Sequence, residues 1–448
     1  MISRRTLMAT AAAAAAAPLL SSEAFAQEDP FSRLLTGTGD PKRAIPGYAA
    51  IAFRKADQTA VMAKAGGYAV DGLEAGRIMR TESPMRIASI SKLVAAIGFM
   101  MLQQQDRIGL DEDVSELLRF QLRHPLFPDT PITPRMLLSH TSGLRNGPSF
   151  PVGLGRPLSD ALTPTGKQWD GGAWFGPVSE PPGQYFAYAD VNIAVIAQLI
   201  ERMTGMRFDL YMTRRVFEPL GLQCGYNWSG VPQTLRNYGA ALYRKAPSDE
   251  GPWNAAGPWQ AQLDATIPKA PEILVTRSPE GELLRLAPDE YEGGNGFVFS
   301  PQGGLRASAR DLEVIARLIA GGGQVNGVRL LRPQTVTLMA TPVWRYDAAP
   351  PGRNGPNGDA YGGAILAYGL GMQILTDTGG DSLFPNCAGW VGHPGDAYGL
   401  VSGLWVEPTS GRGMTYLVNG TAAPLTELHG RSKFTAVEEQ IAGVLASA

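Results

Sequence analysis

The chain has 448 residues, 44% of them hydrophobic and 18% charged, which is globular composition with enough apolar side chains for a sizeable core. That excludes disorder, collagen and coiled coil as the main architecture. Basic and acidic residues number 39 and 41 and nearly cancel, so no strong positive field exists and nucleic acid is not an expected partner.

The first 26 residues read as an export signal rather than as part of the fold. Arg4 and Arg5 stand just before an apolar stretch from Leu7 to Leu20, and Ala24-Phe25-Ala26 supplies small residues for cleavage. The arginine pair points to a twin-arginine route and a periplasmic or secreted protein. The apolar stretch is shorter than the roughly 20 residues needed to span a bilayer, so no stable membrane insertion is expected. An oxidising compartment permits a bridge between the two cysteines, Cys224 and Cys387.

Residues 47–54 and 60–70 read as two strands joined at Ala56-Asp57-Gln58. A helix is predicted from Ser89 to about Gln105, with Leu93, Val94, Ile97, Met100 and Met101 at helical spacing. Thr133-Pro134 opens a second, short helix predicted to end at Gly143. Residues 145–184 lack periodicity and are rich in Gly, Pro and Trp, so they are expected to cover or shape a site. Helical pattern returns at 190–204 and 207–219. Residues 226–296 are irregular, with one hairpin expected around Glu280-Gly281. A helix over 308–320, strands at 368–375, 387–392, 398–406 and 413–419, and a helix from 434 to 446 complete the chain.

Strands thus lie at both ends of the chain, with helices and loops between. The pattern predicts an α+β fold: an antiparallel sheet flanked by helices, built from 27–110 and 297–448, with a helical and irregular insertion over 111–296.

Three short motifs carry chemistry. Ser89-Ile90-Ser91-Lys92 stands at a predicted helix start, where a side chain at i+3 returns to the same face. A serine hydroxyl is a poor nucleophile until a neighbour takes its proton, and a lysine does so only when uncharged. Burial and the positive helix end both push a lysine that way. Tyr188-Ala189-Asp190 offers a phenol able to pass a proton and a carboxylate at the start of the next helix. In His393-Pro394-Gly395 a glycine would let a substrate approach an edge strand, and the Asp396 amide would serve as one of two oxyanion donors.

In order and relative spacing, Ser89-x-x-Lys92, Tyr188-x-Asp190 and His393-x-Gly395 resemble the penicillin-recognising serine hydrolases, the serine β-lactamase and penicillin-binding-protein group. The nearest branch looks like the class C β-lactamase relatives, which include esterases, D-aminopeptidases and D,D-carboxypeptidases. Supporting stretches are Met85-Arg86-Ile87-Ala88, Leu137-Leu138-Ser139-His140-Thr141-Ser142-Gly143-Leu144, Ser300-Pro301-Gln302-Gly303-Gly304-Leu305 and Tyr368-Gly369-Leu370-Gly371. The resemblance implies the β-lactamase/transpeptidase-like fold. It implies a Ser89 acyl-enzyme, proton shuttling by Lys92 and Tyr188, an oxyanion held by the Ser89 and Asp396 amides, and no cofactor or metal.

Two departures shape the expected substrate. β-Lactamases of this kind carry Tyr-x-Asn, where Asp190 stands, and a carboxylate cannot donate to a substrate carbonyl. Their third motif usually begins with lysine, where His393 stands, largely neutral near pH 7. Both favour a small ester or amide over a β-lactam. A β-lactamase, D,D-carboxypeptidase or D-aminopeptidase, an acyltransferase, and a binding-only envelope protein are the alternatives. Trp169, Trp174 and Phe175, in the long loop before Tyr188, are expected to line an apolar pocket. His124, His140, His393 and His429 show no ligand spacing, so no metal site is expected.

Overall fold

The computed structural model describes residues 30–448 apart from 38, 58–59, 71–75, 154, 248–250, 265–273, 278–282 and 287–293. The expected export segment lies outside the described residues. So does the turn at Glu280-Gly281, although its flanking strands Leu274–Arg277 and Leu283–Leu286 pair antiparallel.

A nine-stranded sheet organises the molecule. Its strands in chain order are β1 (Gly47–Phe53), β2 (Met62–Val70), β3 (Arg77–Ile78), β4 (Trp344–Arg345), β5 (Ala367–Tyr368), β6 (Gln373–Ile374), β7 (Val391–Ala397), β8 (Leu400–Glu407) and β9 (Arg412–Val418). Across the sheet the order is β4-β5-β6-β7-β8-β9-β1-β2-β3, and every ladder is antiparallel. N-terminal strands therefore lie beside the last one, and β1 is fully buried. Alternation along β1 sends Ala49, Ile51 and Phe53 into one core and Tyr48, Ala50 and Ala52 into the other. A strand covered on both faces needs apolar residues at every position, which is what this run supplies.

The helices used below are α1 (Pro30–Thr36), α2 (Ile90–Gln103), α3 (Pro134–Leu138), α4 (Val191–Thr204), α5 (Phe208–Met212), α6 (Ala309–Ala320) and α7 (Ala436–Ala446), and shorter ones lie between them. Phe31 and Leu34 of α1 share the smaller core with Val437 and Ile441 of α7. The larger core unites α2, α4 and α6 on the other face. α2 is buried from Ile90 to Leu102, so its whole surface is covered by protein. α6 starts on a capping box in which Ser308 and Asp311 satisfy each other's backbone amides.

Three expectations are corrected. α3 ends at Leu138 rather than Gly143, because Ser139 Oγ turns back onto Arg135 O at 2.8 Å and His140 takes a left-handed φ of 56°. The run 207–219 is α-helical only to Met212 and continues as a π-turn, Thr213–Phe217. The strand placed at 387–392 lies at 391–397, so His393-Pro394-Gly395 sits inside β7 rather than between strands. Cys224 and Cys387 are both free thiols, each buried in a different core, and form no bridge.

Candidate active site

Ser89 occupies the residue before the first turn of α2, half-exposed at the floor of a cavity of about 540 Å³. Ala88, immediately before it, has φ 52°, a strained conformation for a residue with a Cβ. The turn is held from two sides. Ser91 Oγ donates to Ala88 O at 2.6 Å, and Ser402 Oγ on β8 donates to Ile87 O at 3.0 Å.

Lys92 returns one helical turn later to the same face, as the spacing requires. Its side chain is 1% exposed. Nζ lies 2.9 Å from Ser89 Oγ, 2.8 Å from Gln302 O and 2.7 Å from Asp190 Oδ1. Gln302 is fixed by its neighbours: Arg86 Nε donates to Gly303 O at 2.8 Å, and Met85-Arg86 pairs with Arg306-Ala307. Three acceptors around Nζ match the three hydrogens of an ammonium. Lys92 thus pairs with Asp190 while standing within hydrogen-bond reach of Ser89 Oγ.

Asp190 precedes α4 but does not cap it with its own side chain. Asn146 does so from the 145–184 loop: its Oδ1 accepts from Asp190 N at 2.9 Å and Val191 N at 3.2 Å, and its Nδ2 donates to Asp190 Oδ2 at 3.3 Å. The Asp190 carboxylate is thereby free to turn onto Lys92. It does not line the cavity in front of Ser89, so the expected place at the substrate or oxyanion is corrected. Asn146 escaped the sequence reading because a cap supplied from 44 residues away leaves no local pattern.

The Tyr188 ring lies under the Lys92 ammonium, 4.8 Å from its centroid, and against the His140 ring at 4.5 Å. Burial and then the Asp190 charge hold the phenol well above its ordinary range, with a bond from Ser89 opposing them. His393 Nδ1 meets the Pro394 carbonyl at 2.5 Å, which can only accept, so that nitrogen carries the hydrogen. Nε2 then accepts from Tyr368 Oη at 2.9 Å and faces Tyr188 Oη at 3.4 Å. Burial, reinforced by Lys92, pushes His393 down to about 3, which keeps it neutral. His140 is likewise held well below its ordinary value by burial and by Lys92. Its Nδ1 accepts from Ala189 N and faces Asn192 Nδ2, so it works as a buried brace between α3 and α4.

β7 supplies the other side. It pairs with β6 only at Val391 and Gly392, whereas all seven of its residues pair with β8. From His393 to Ala397 it is therefore an open edge facing the cavity. Pro394 is tolerated because this half of the strand has only one neighbour. A Cβ on Gly395 would lie 2.6 Å from Ile87 O and 3.1 Å from Ser89 N, so glycine permits the edge to approach the nucleophile turn. Ser89, Gly395 and Asp396 share the cavity wall.

Trp169, Trp174 and Phe175 lie elsewhere. Trp174 is fully buried and donates to Gln168 O at 2.7 Å, Phe175 is 7% exposed, and Trp169 packs on Phe175. They pin the loop to the core and do not line the cavity. Its outer wall comes instead from 359–365 and 425–438, segments that sequence reading did not place at the site.

Sheet, helical layer and the three motifs meeting on one cavity define the β-lactamase/transpeptidase-like class. A model of the Beta-lactamase family matches residues 25–434, and the chain belongs to that family. Penicillin-binding protein 4* of Bacillus subtilis is 27% identical over 172 residues, 36% of this chain and 35% of the relative. D-aminopeptidase of Cereibacter sphaeroides is 24% identical over 377 residues, 79% of this chain and 63% of the relative. Matches to the first curated relatives span between 35% and 58% of those proteins' own length. Among solved structures, EstCE1, a hydrolase with promiscuous acyltransferase activity, superposes with a TM-score of 0.60 at 20% identity, covering 92% of this chain and 98% of that one. A class C β-lactamase mutant gives 0.59 at 14% identity, with 94% and 96% covered. At these identities the structural likeness is one of fold.

Proposed function

We propose that this protein is a serine acyl hydrolase that cleaves a small ester or amide through a Ser89 acyl-enzyme. The observation that carries it is the 2.9 Å approach of the buried Lys92 Nζ to Ser89 Oγ. Ser89 Oγ attacks the carbonyl carbon, and the Oγ–C bond forms as the Oγ–H bond breaks. Lys92 takes that proton after passing one of its own to Asp190 Oδ1, the acceptor 2.7 Å away. The Ser89 and Asp396 amides receive the oxyanion at the head of α2 and the open edge of β7. Tyr188 gives its proton to the leaving atom and recovers one from Lys92. Water then repeats the sequence on the acyl-enzyme.

The charges near the nucleophile support an ester or amide over a β-lactam. Lys92 is spoken for by Asp190, and His393 is neutral. Asp396 and Asp359 line the cavity, and its lysine, Lys433, belongs to the C-terminal wall. A substrate carboxylate would meet repulsion beside Ser89. The proposal includes export, supported by Arg4, Arg5 and the apolar run that follows.

Side-by-side assays with p-nitrophenyl butyrate, D-alanine p-nitroanilide and nitrocefin test the substrate class. The ester or the anilide is expected to exceed nitrocefin in kcat/KM by roughly tenfold or more, the scale of one misplaced charge. Nitrocefin as the fastest substrate would overturn the preference.

A further inference from the structure

Four consecutive residues on the outer wall take left-handed backbone: Ala360 (φ 50°), Tyr361 (φ 48°), Gly362 (φ 67°) and Gly363 (φ 93°). The two glycines adopt it without strain, whereas a tyrosine crowds its Cβ against its own backbone there. Such a residue persists only where its surroundings over-determine it. Here Asp359 accepts from Tyr361 N at 3.0 Å, Asp359 N donates to Phe186 O at 3.1 Å, and Phe186 N donates to Asn357 O at 3.0 Å. The strained segment is thus stapled to the strip of chain that carries Tyr188. Its effect is to set the Tyr361 ring 4.9 Å from the Tyr188 ring, at the mouth of the cavity, with 49% of the residue exposed. A ring held in place for packing alone would be covered, and half of this one faces open space. Ile365, Leu425 and Phe434 line the same cavity, and each is apolar.

We propose that Tyr361 is a specificity-determining residue whose exposed ring face takes an aromatic or similarly bulky apolar group of the substrate. Resting on the acyl-enzyme reading above, this names the class of ester or amide that the site prefers. The ring group occupies the space between Tyr361 and the Ile365, Leu425 and Phe434 side chains, while the scissile carbonyl sits at Ser89. Strain at 360–361 is the cost of presenting a flat apolar face that is already ordered before substrate arrives.

Two pairs of esters test it, one varying the acyl part and one the alcohol: p-nitrophenyl acetate against p-nitrophenyl phenylacetate, and methyl against benzyl butyrate. The wild type is expected to favour the ring-bearing member of at least one pair by about tenfold or more in kcat/KM, the scale of burying one ring against another. Tyr361→Gly should cut that ratio roughly tenfold, and Tyr361→Phe, which keeps the ring, should retain it. The glycine variant should also melt no more than about 2 °C below wild type, because relief of the left-handed strain offsets the lost ring contact. Should Tyr361→Gly fail to fold, Tyr361→Asn serves instead, since asparagine accepts this backbone. No preference in either pair, or a preference that survives loss of the ring, overturns the inference. A wild type that turns over none of the four esters and forms no Ser89 adduct overturns the acyl-enzyme reading first, and this inference falls with it.

Discussion

On the inner side of the cavity Ser89, Lys92, Asp190 and Asn146 are joined by contacts of 2.7–3.3 Å, and Lys92 and His393 are each 1% exposed. On the outer side, Tyr361 and its neighbours from 359–365 and 425–438 present a largely apolar wall that is half-open at Tyr361. The inner half has fixed partners and can move a proton only along a set route. The outer half is a wall that touches what is bound and leaves the chemistry alone. Substitutions inside should therefore act on rate with any substrate, and substitutions outside on the choice between substrates.

The largest expected effect is on the inner side. Lys92→Ala should lower kcat on the order of 10²–10⁴-fold across every ester and amide tested, the usual scale for loss of a positioned acid–base group. A loss confined to one substrate would break the comparison, because it would make Lys92 part of the wall. The smaller effect concerns stability. Burial pushes Glu438, on the cavity's C-terminal wall, up to about 7, and it also raises Glu201, on α4, to about 7. Both carboxyls bind a proton more tightly folded than unfolded. Their contribution is fully present below the ordinary glutamate range near pH 4.5 and is lost as pH rises through 7. The thermal midpoint should therefore fall by roughly 3 °C between pH 5 and pH 8, and Glu438→Gln should flatten part of that slope. A midpoint that climbs over the same interval would contradict the burial of these carboxyls.

What sequence revealed divides along the same line. Ser89 and Lys92 are legible because i, i+3 spacing on a helix fixes their meeting without knowledge of the rest of the fold. The elements β1, α2 and α4 are legible because deep burial demands apolar residues along nearly their whole length, and length then separates strand from helix. The outer wall is not legible. Its two segments lie about 60 residues apart, and neither carries a catalytic motif. Trp169, Trp174 and Phe175 show the converse fault: aromatic residues beside a motif announce burial, but not which side of a core buries them. The Lys92–Asp190 ion pair lay beyond reach for a similar reason. It depends on an Asp190 carboxylate released from its helix by Asn146, a contact between distant parts of the chain.

Acylation itself is the most direct test. The protein is incubated with a fluorophosphonate, digested, and the adduct located by mass spectrometry, with Ser89→Ala alongside. A single adduct on the peptide carrying Ser89, absent from the variant, is the predicted result. An adduct on another residue, or none with any acylating probe, would contradict a Ser89 nucleophile and leave a family member that binds without reacting.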